Sequence, residues 1–426
     1  MTLFIVFAAL LVSLMINVPV AFALGSASLL YMSIADIPKV IIPQQLIAGP
    51  SGWVLLAMPL FVVAGELMNV STISRRIIDF ASALVGHVRG GLAMVNILAS
   101  MLFGGISGSS VADTAAIGSV LIPGMVKKGY PADYAAAVTS SSATIGIIIP
   151  PSIPMIFYAV VARQSVGTLF LAGIIPGILV GVGLMMVAYV FALVGHHPIE
   201  KKFSLSNLVT SSRKAFLAIL MPVIVVGGII FGVFTATEAG AIAVAYAFLL
   251  GVVVYRAIDF KELYHALVKA TITTAIVMII ISTSLIFGWV MTHEGVPQAI
   301  TRFIVSLELG YHNVLLVLTF VLIVLGTFLH GDPIMFLVVP MFLPVVQQLN
   351  IDLVFFGILV CFTIGIGQQT PPVGSCLYVT SAISGSDVLS ITKINWAFIL
   401  VMIALAVLMI YVPELTLFIP TVIGAI

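Results

Sequence analysis

Three prolines, Pro150, Pro151 and Pro154, fall inside the apolar segment TIGIIIPPSIP, Thr144 to Pro154. Each removes a backbone donor and pushes the residue before it out of the α region. The surrounding apolar run is long enough to cross a bilayer, yet it cannot be continuous helix. The same device recurs at GIGQQTPPVG, Gly365 to Gly374, where Pro371 and Pro372 interrupt a second apolar run. Spacing makes this a repeat. Pro123 lies 27 residues before Pro150 and Pro344 lies 27 before Pro371, while Gly104 lies 46 before Pro150 and Gly326 lies 45 before Pro371. An amphipathic stretch ended by glycine precedes each set, Ser74 to Gly86 and Ala299 to Gly310. Paired interrupted segments at corresponding positions of two halves point to the binding site of a secondary transporter.

The 426 residues are 62% hydrophobic and 7% charged, with mean hydropathy +1.30, whereas soluble domains carry about 25% charged residues. This predicts an all-α polytopic membrane protein in contact with lipid, built as an inverted repeat with two re-entrant helical hairpins and two proline-broken helices. A net charge of +1, without basic clusters interleaved with aromatics, leaves no place for nucleic acid. Cys361 and Cys376 both fall inside predicted crossings, which argues against a disulfide framework. No Lys or Arg precedes Lys39, so residues 1 to 33 read as a retained crossing rather than a cleavable leader.

At about 20 apolar residues per crossing, spans fall near 3–33, 46–70, 133–162 (broken), 168–194, 214–234, 236–256, 269–291, 353–384 (broken) and 395–419, nine in all. Two further apolar stretches, 91–126 and 312–347, carry a helix breaker at the centre, GGISGSS in the first and HGDP in the second. Both read as hairpins that dip into the membrane and return, which requires protein or a cavity to satisfy the turn. Segments 72–88, 296–309 and the short polar 258–268 read as interfacial arms.

This layout gathers 13 of the 16 basic residues in one set of loops: Arg75, Arg76, Arg89, Lys127, Lys128, Lys201, Lys202, Arg213, Lys214, Arg256, Lys261, Lys269 and Lys393. Lys39, Arg163 and Arg302 lie opposite. The positive-inside rule places the first set in the cytoplasm, with the N-terminus cytoplasmic and the C-terminus periplasmic. The extra span at 214–234 inverts the second half relative to the first.

Broken helices bring both ends of helix dipoles to mid-membrane depth, which suits an anion together with a cation. Freed carbonyls and hydroxyls are oxygen ligands for a hard monovalent ion such as sodium. One sodium cradle is expected in each half: Ser107, Ser110, Gly146, Ile149 and Pro150 in the first, and Gly326, Asp332, Gly367, Thr370 and Val373 in the second. The solute is expected between them, reached by Ser109, Asp113, Ser141, Ser142, Thr144, Gln368 and Gln369. No other metal is expected, because the seven histidines lack ligand spacing and His196 with His197 falls in a loop.

Structural roles compete for several of these residues. Ser110 followed by Asp113 has the form of a capping box variant, and Asp332 before Pro333 that of an N-cap with proline at the first helical position. Thr139 and Ser140 to Ser142 can back-bond to carbonyls one turn earlier. Glu66 and Glu238, each beside a glycine near a span end, read as interfacial and solvated, and Arg163 as a snorkelling side chain. GISG, Gly105 to Gly108, resembles the nucleophile motif of rhomboid intramembrane proteases, with His293 and His330 as candidate partners; that reading leaves the repeat unexplained. No G-x-x-x-x-G-K-[ST] loop is present, so an ATP-driven pump is disfavoured and the chain reads as no enzyme.

Four segments together resemble the large membrane subunit of TRAP (tripartite ATP-independent periplasmic) transporters: Phe103 to Pro131, Ile147 to Ala162, Thr235 to Ala247 and Gly367 to Gly374. The resemblance implies a sodium-coupled importer of an organic acid, of the C4-dicarboxylate or sialic acid class, in the bacterial inner membrane. Its implied partners are a periplasmic binding protein that delivers solute and a small four-helix membrane subunit. It also implies an elevator mechanism, in which a core of 91–162 and 312–384 slides against a scaffold of 1–90, 163–311 and 385–426. The alternative is a self-sufficient sodium/dicarboxylate symporter.

Overall fold

The computed structural model describes residues 2–16, 18–48, 50–195 and 203–426, so Lys201, Lys202, His196 and His197 lie outside the described residues. The described chain is helical and contains no strand. It opens with α1 (Thr2–Met15), α2 (Val20–Ile34) and α3 (Ile41–Ala48). A 3-10 turn (Trp53–Leu56) leads into α4 (Ala57–Val70), followed by α5 (Ile73–Val85). The first repeat holds α6 (Gly91–Ser107), α7 (Ser110–Lys127), α8 (Ala132–Ala143), a 3-10 turn (Thr144–Ile147) and α9 (Ile153–Ala162). Between the repeats run α10 (Val166–Val194), α11 (Leu205–Ile230), α12 (Ala236–Phe248, extended by a π-helical turn), α13 (Phe260–His293) and α14 (Val296–Ser306). The second repeat holds α15 (Tyr311–Phe328), α16 (Gly331–Pro333), which continues through a π-helical turn into α17 (Val339–Gln348), then α18 (Leu353–Gln368) and α19 (Ser375–Ser384). The chain closes with α20 (Val388–Tyr411) and α21 (Glu414–Ile423).

Both proline pairs break helix where the sequence requires it. Residues 144–152, beginning with the 3-10 turn, separate α8 from α9 and residues 369–374 separate α18 from α19; the Pro150–Pro151 and Pro371–Pro372 bonds are both cis. A helix that is apolar all round belongs in the interior. Accordingly every residue of α18 after Leu353 is buried, as is α8 from Tyr134 to Ala143. The first arms of the two broken helices form the centre of the molecule. Large apolar side chains stay exposed on the periphery, among them Phe216, Val223, Phe320 and Leu400, a distribution suited to lipid.

Close approach at the centre depends on glycine. A Cβ on Gly104 would fall 2.5 Å from the Cα of Gly146, and one on Gly367 would fall 2.5 Å from the Cα of Gly326. The same glycine-on-glycine contact therefore joins the hairpin to the broken helix in each repeat. A further backbone bond follows in each: Ile153 N–H donates to Gly108 O at 3.3 Å, and Val373 N–H to Thr327 O at 3.0 Å. Across the repeats, Gln369 Nε2 donates to Thr144 Oγ1 at 3.2 Å, and the Thr144 hydroxyl donates to Gly365 O at 3.3 Å. The two breaks are neighbours.

Three segment expectations are corrected. Residues 3–33 do not form one crossing, because Pro19 separates α1 from α2 and each is only about 21–23 Å long at 1.5 Å per residue. Phe7 meets Phe287 with ring centroids 6.0 Å apart, while a Cβ on Gly25 would touch Thr283 one turn away on α13. Positions 7 and 25 can share one level of α13 only if α1 folds back beside α2, which returns the N-terminal end to the side reached by Ile34. Residues 258–268 are no separate arm. Asp259 opens α13 with a reciprocal capping box to Glu262, and no breaker interrupts the 34 residues that follow. The last span runs over Val388–Tyr411 instead of 395–419, and α21 restarts after Pro413 to pack on α10. Among the described residues, eight continuous helices are long and apolar enough to cross a membrane. The eight include Tyr311–Phe328 and Gly331–Gln348 and omit the two broken segments and residues 3–33, whose pieces are too short as helices.

Candidate functional site

A cavity of about 520 Å³ lies where the turns of both repeats face α4 and α13. Ser107 to Ser110 enter from the first turn, His330 to Asp332 from the second, and Gln368 from the end of α18. The opposite wall carries Glu66 and Asn69 of α4 and Lys269 and Thr273 of α13. Its floor includes Pro154 and Phe157 of α9, just beyond the first proline break. One cavity, mostly apolar with a few convergent polar groups, thus collects both turns and both broken helices, and it extends to the end of α13 that follows Arg256 and Lys261.

Local chemistry explains the turns. Gly108 takes positive φ, +61°, and Ser109 in extended conformation caps α7 by accepting from Ala112 N–H at 3.5 Å. The cap is therefore Ser109, and the capping-box reading of Ser110 with Asp113 is overturned. Ser110 Oγ instead donates to Gln368 Oε1, which ties the first turn to the second broken helix. Asp113 Oδ1 accepts from Ser107 Oγ. In the second turn His330 is the N-cap residue, without a side-chain cap bond, and Asp332 lies inside the first helical turn. Its Oδ2 sits 3.3 Å from His330 Nδ1, so the N-cap reading of Asp332 is overturned as well.

Asp113 is fully buried, and its Oδ2 has no hydrogen-bond partner. A carboxylate in that position carries a desolvation cost that only a counter-charge or a proton relieves. The orphan oxygen faces the Gly104–Gly146 contact, where a Cβ on Gly146 would overlap it. The oxygen set at this point is the Asp113 carboxylate, the Ser107 hydroxyl and nearby backbone, a hard set suited to a small cation. Sodium fits this cradle. Of the residues expected around the first ion, Ser107 and Gly146 adjoin the Asp113 carboxylate, which was expected on the solute, and Ser110 turns away to Gln368. Pro150 presents its carbonyl toward Gly105, and Ile149 packs on Gly177.

In the second repeat Gly326 and Gly367 are in contact. Thr370 donates its hydroxyl to Ile366 O at 2.7 Å, and its N–H donates to Gly367 O at 3.0 Å. Val373 contributes its N–H to Thr327 O while its side chain is exposed. Asp332 lies in the cavity wall.

The expected solute residues separate into two groups. Ser109 and Gln368 line the cavity. Ser141, Ser142, Thr144 and Gln369 are fully buried in polar networks behind it. Ser141 donates to Asn395 Oδ1, and Asn395 Nδ2 donates to Gln369 O at 2.9 Å. Ser142 accepts from Ser100 at 2.8 Å and donates to Asn96 at 3.2 Å. Thr139 back-bonds to Ala135 O at 2.8 Å, as its position suggested. Asn395 and Asn96 carried no sequence signal of this role beyond being amides in apolar runs.

The charged residues were legible only in part. Glu238 is exposed in a capping box with Thr235, and Arg163 is exposed at the C-cap of α9. Glu66 is not solvated at an interface; it is buried and pairs with Lys269 at 2.9 Å. No histidine pairs with Ser107, since His330 is joined to Asp332 and His293 to Tyr31 at 2.9 Å. The rhomboid-like arrangement is absent among the described residues.

The family model described as "Tripartite ATP-independent periplasmic transporter, DctM component" matches residues 7–415. This chain belongs to the DctM family. The C4-dicarboxylate TRAP transporter large permease protein DctM of Pseudomonas aeruginosa is 39% identical over 372 residues, 87% of each chain. The sialic acid TRAP transporter large permease protein SiaM of Vibrio cholerae is 36% identical over 405 residues, 95% of each. Among solved structures, the Alcanivorax borkumensis YdaH transporter shares the fold, with TM-score 0.62 at 14% identity over 87% of this chain and 86% of that one. The DctM-family chain is a multi-pass large permease of a tripartite transporter, a family of transporters rather than enzymes.

Proposed function

We propose that this permease couples inward sodium flow to import of an organic acid anion, delivered by a periplasmic binding protein, with a small membrane subunit as its second partner in the bacterial inner membrane. The carrying observation is the unpartnered Asp113 Oδ2 at the contact of hairpin and broken helix. It is a buried negative site that sodium completes, next to a cavity that holds a solute. The second cradle uses Gly326, Gly367 and Thr370. Ser109, Ser110 and Gln368 meet the solute, whose class follows the C4-dicarboxylate and sialic acid relatives.

In this reading α6–α7 and α15–α17 are re-entrant hairpins that move with their broken helices as one body, while α5 and α14 act as arms. Sodium at both cradles orders the turns on which solute binds, so each raises the affinity of the other by the same factor. The basic residues assign the Lys269 end of the cavity to the cytoplasm. In the same reading, α1 folded back beside α2 has the N-terminus on the side opposite the Lys269 end, where the sequence alone suggested the cytoplasmic side.

Proteoliposomes holding the permease with its small subunit, supplied with binding protein and an imposed sodium gradient, test this. Uptake should follow the sodium gradient and require binding protein. Uptake indifferent to sodium refutes the coupling; sodium-driven uptake without binding protein makes the chain a self-sufficient symporter.

A further inference from the structure

Among the described residues, Lys269 is the one lysine or arginine in the cavity wall. It stands in the third turn of α13, inside a continuous helix. Its Nζ lies 2.9 Å from Glu66 Oε2, yet the two side chains are unequally placed: Lys269 is 65% exposed and Glu66 11%. The carboxylate is tucked into α4 and the ammonium projects into the cavity. A lysine ammonium has three donors, and Glu66 takes one. The others lie on the exposed side of the ammonium, and Asn69, one turn from Glu66, lines the same cavity. The ordinary structural role is a surface ion pair between neighbouring helices, which contributes little to stability. It does not explain why the cation rather than the carboxylate is the exposed member.

We propose that Lys269 is an exit site for the solute's carboxylate, positioned by Glu66 and carried on helices that stay still. The proposal rests on the organic-anion reading above and adds a residue and a side to it. Solute leaving the turn that bears Ser109 and Ser110 meets the ammonium only when the cavity opens toward the Lys269 end. The site acts on release and rebinding from that side, whereas loading from the binding protein bypasses it. Glu66 tempers the site by leaving the pair neutral, so that the anion is received and then let go.

The test uses the complete complex in proteoliposomes, with radiolabelled succinate and N-acetylneuraminate as probes. Because binding protein is added outside only, uptake reports transporters whose Lys269 end faces the lumen. Unlabelled probe loaded into the lumen then gives the half-inhibiting concentration at that end. Lys269→Gln should raise that concentration about tenfold, the loss of one charged hydrogen bond. Half-saturation from the outside should stay within about twofold, since that step lacks the contact. Glu66→Gln should move the lumenal value the opposite way, downward, and slow net uptake, while Lys269→Arg should stay near the native value. A purely structural pair would respond to both neutralisations in the same direction, and that result overturns the proposal; so does an unchanged lumenal value in Lys269→Gln. If Lys269→Gln fails to assemble, the downward shift in Glu66→Gln decides the matter, and its absence is equally fatal. A native complex that carries neither probe refutes the organic-anion reading itself, which separates the two failures.

Discussion

Asp113→Asn isolates the carboxylate on which the ion reading rests. The side chain keeps its size, and the Ser107 hydroxyl can still donate to the amide oxygen. What disappears is the negative charge on an oxygen without a partner inside a fully buried site. A contact to a charged group contributes about 1.5–3 kcal/mol against about 1 kcal/mol for a neutral one. The half-saturating sodium concentration for uptake should therefore rise about tenfold, equivalent to about 1.4 kcal/mol. Stability should move in two directions. In potassium the variant should unfold at a higher temperature than the native protein, because an uncompensated buried charge has been removed. In sodium the native protein should gain stability by mass action, about 2.7 kcal/mol at a hundred times the dissociation constant, and the variant should gain little. Purified complex in detergent, melted in matched sodium and potassium chloride, reads both effects, and proteoliposome uptake against sodium concentration reads the first. An Asp113→Asn protein with native sodium dependence in both assays would refute the assignment of this oxygen to the ion.

Two further substitutions probe the frame around it. Gly367→Ala places a methyl 2.5 Å from the Gly326 Cα, where only backbone could yield, so it should destabilise the complex by about 1–3 kcal/mol and lower sodium affinity; a native melting temperature would show that the contact is loose. Asn395→Ala strips Ser141 and Gln369 of buried partners outside the cavity, so it should reduce thermal stability by about 1–3 kcal/mol while the half-saturating solute concentration stays native, and a selective change in solute affinity would contradict the structural role.

Much of the architecture was legible because its causes are local. Proline removes a donor wherever it sits, and so both broken helices and their neighbouring turns could be placed from one sequence to within a few residues. The capping readings at Ser110 and Asp332 failed for the complementary reason: a cap competes with whatever else the fold brings near. Gln368, 258 residues from Ser110, took the Ser110 hydroxyl, and His330 took Asp332. Residues 3–33 were read as one rod because their apolar content is continuous, whereas Pro19 and the contact surface of α13 fold them in two.

By itself, then, the sequence determined that this chain lives in a membrane, repeats a breaker-centred helix pair and a snapped helix, and belongs with the large permeases of TRAP transporters, since composition, proline position and motif are properties of residues in order. Only the tertiary structure decided which polar groups face the cavity and which are consumed behind it. Ser141, Ser142 and Thr144 went to the interior, Asp113 was left with one oxygen bare, and Glu66 and Lys269, 203 residues apart, became a pair. Whether a buried oxygen is satisfied depends on every segment that reaches it, and no local pattern records that.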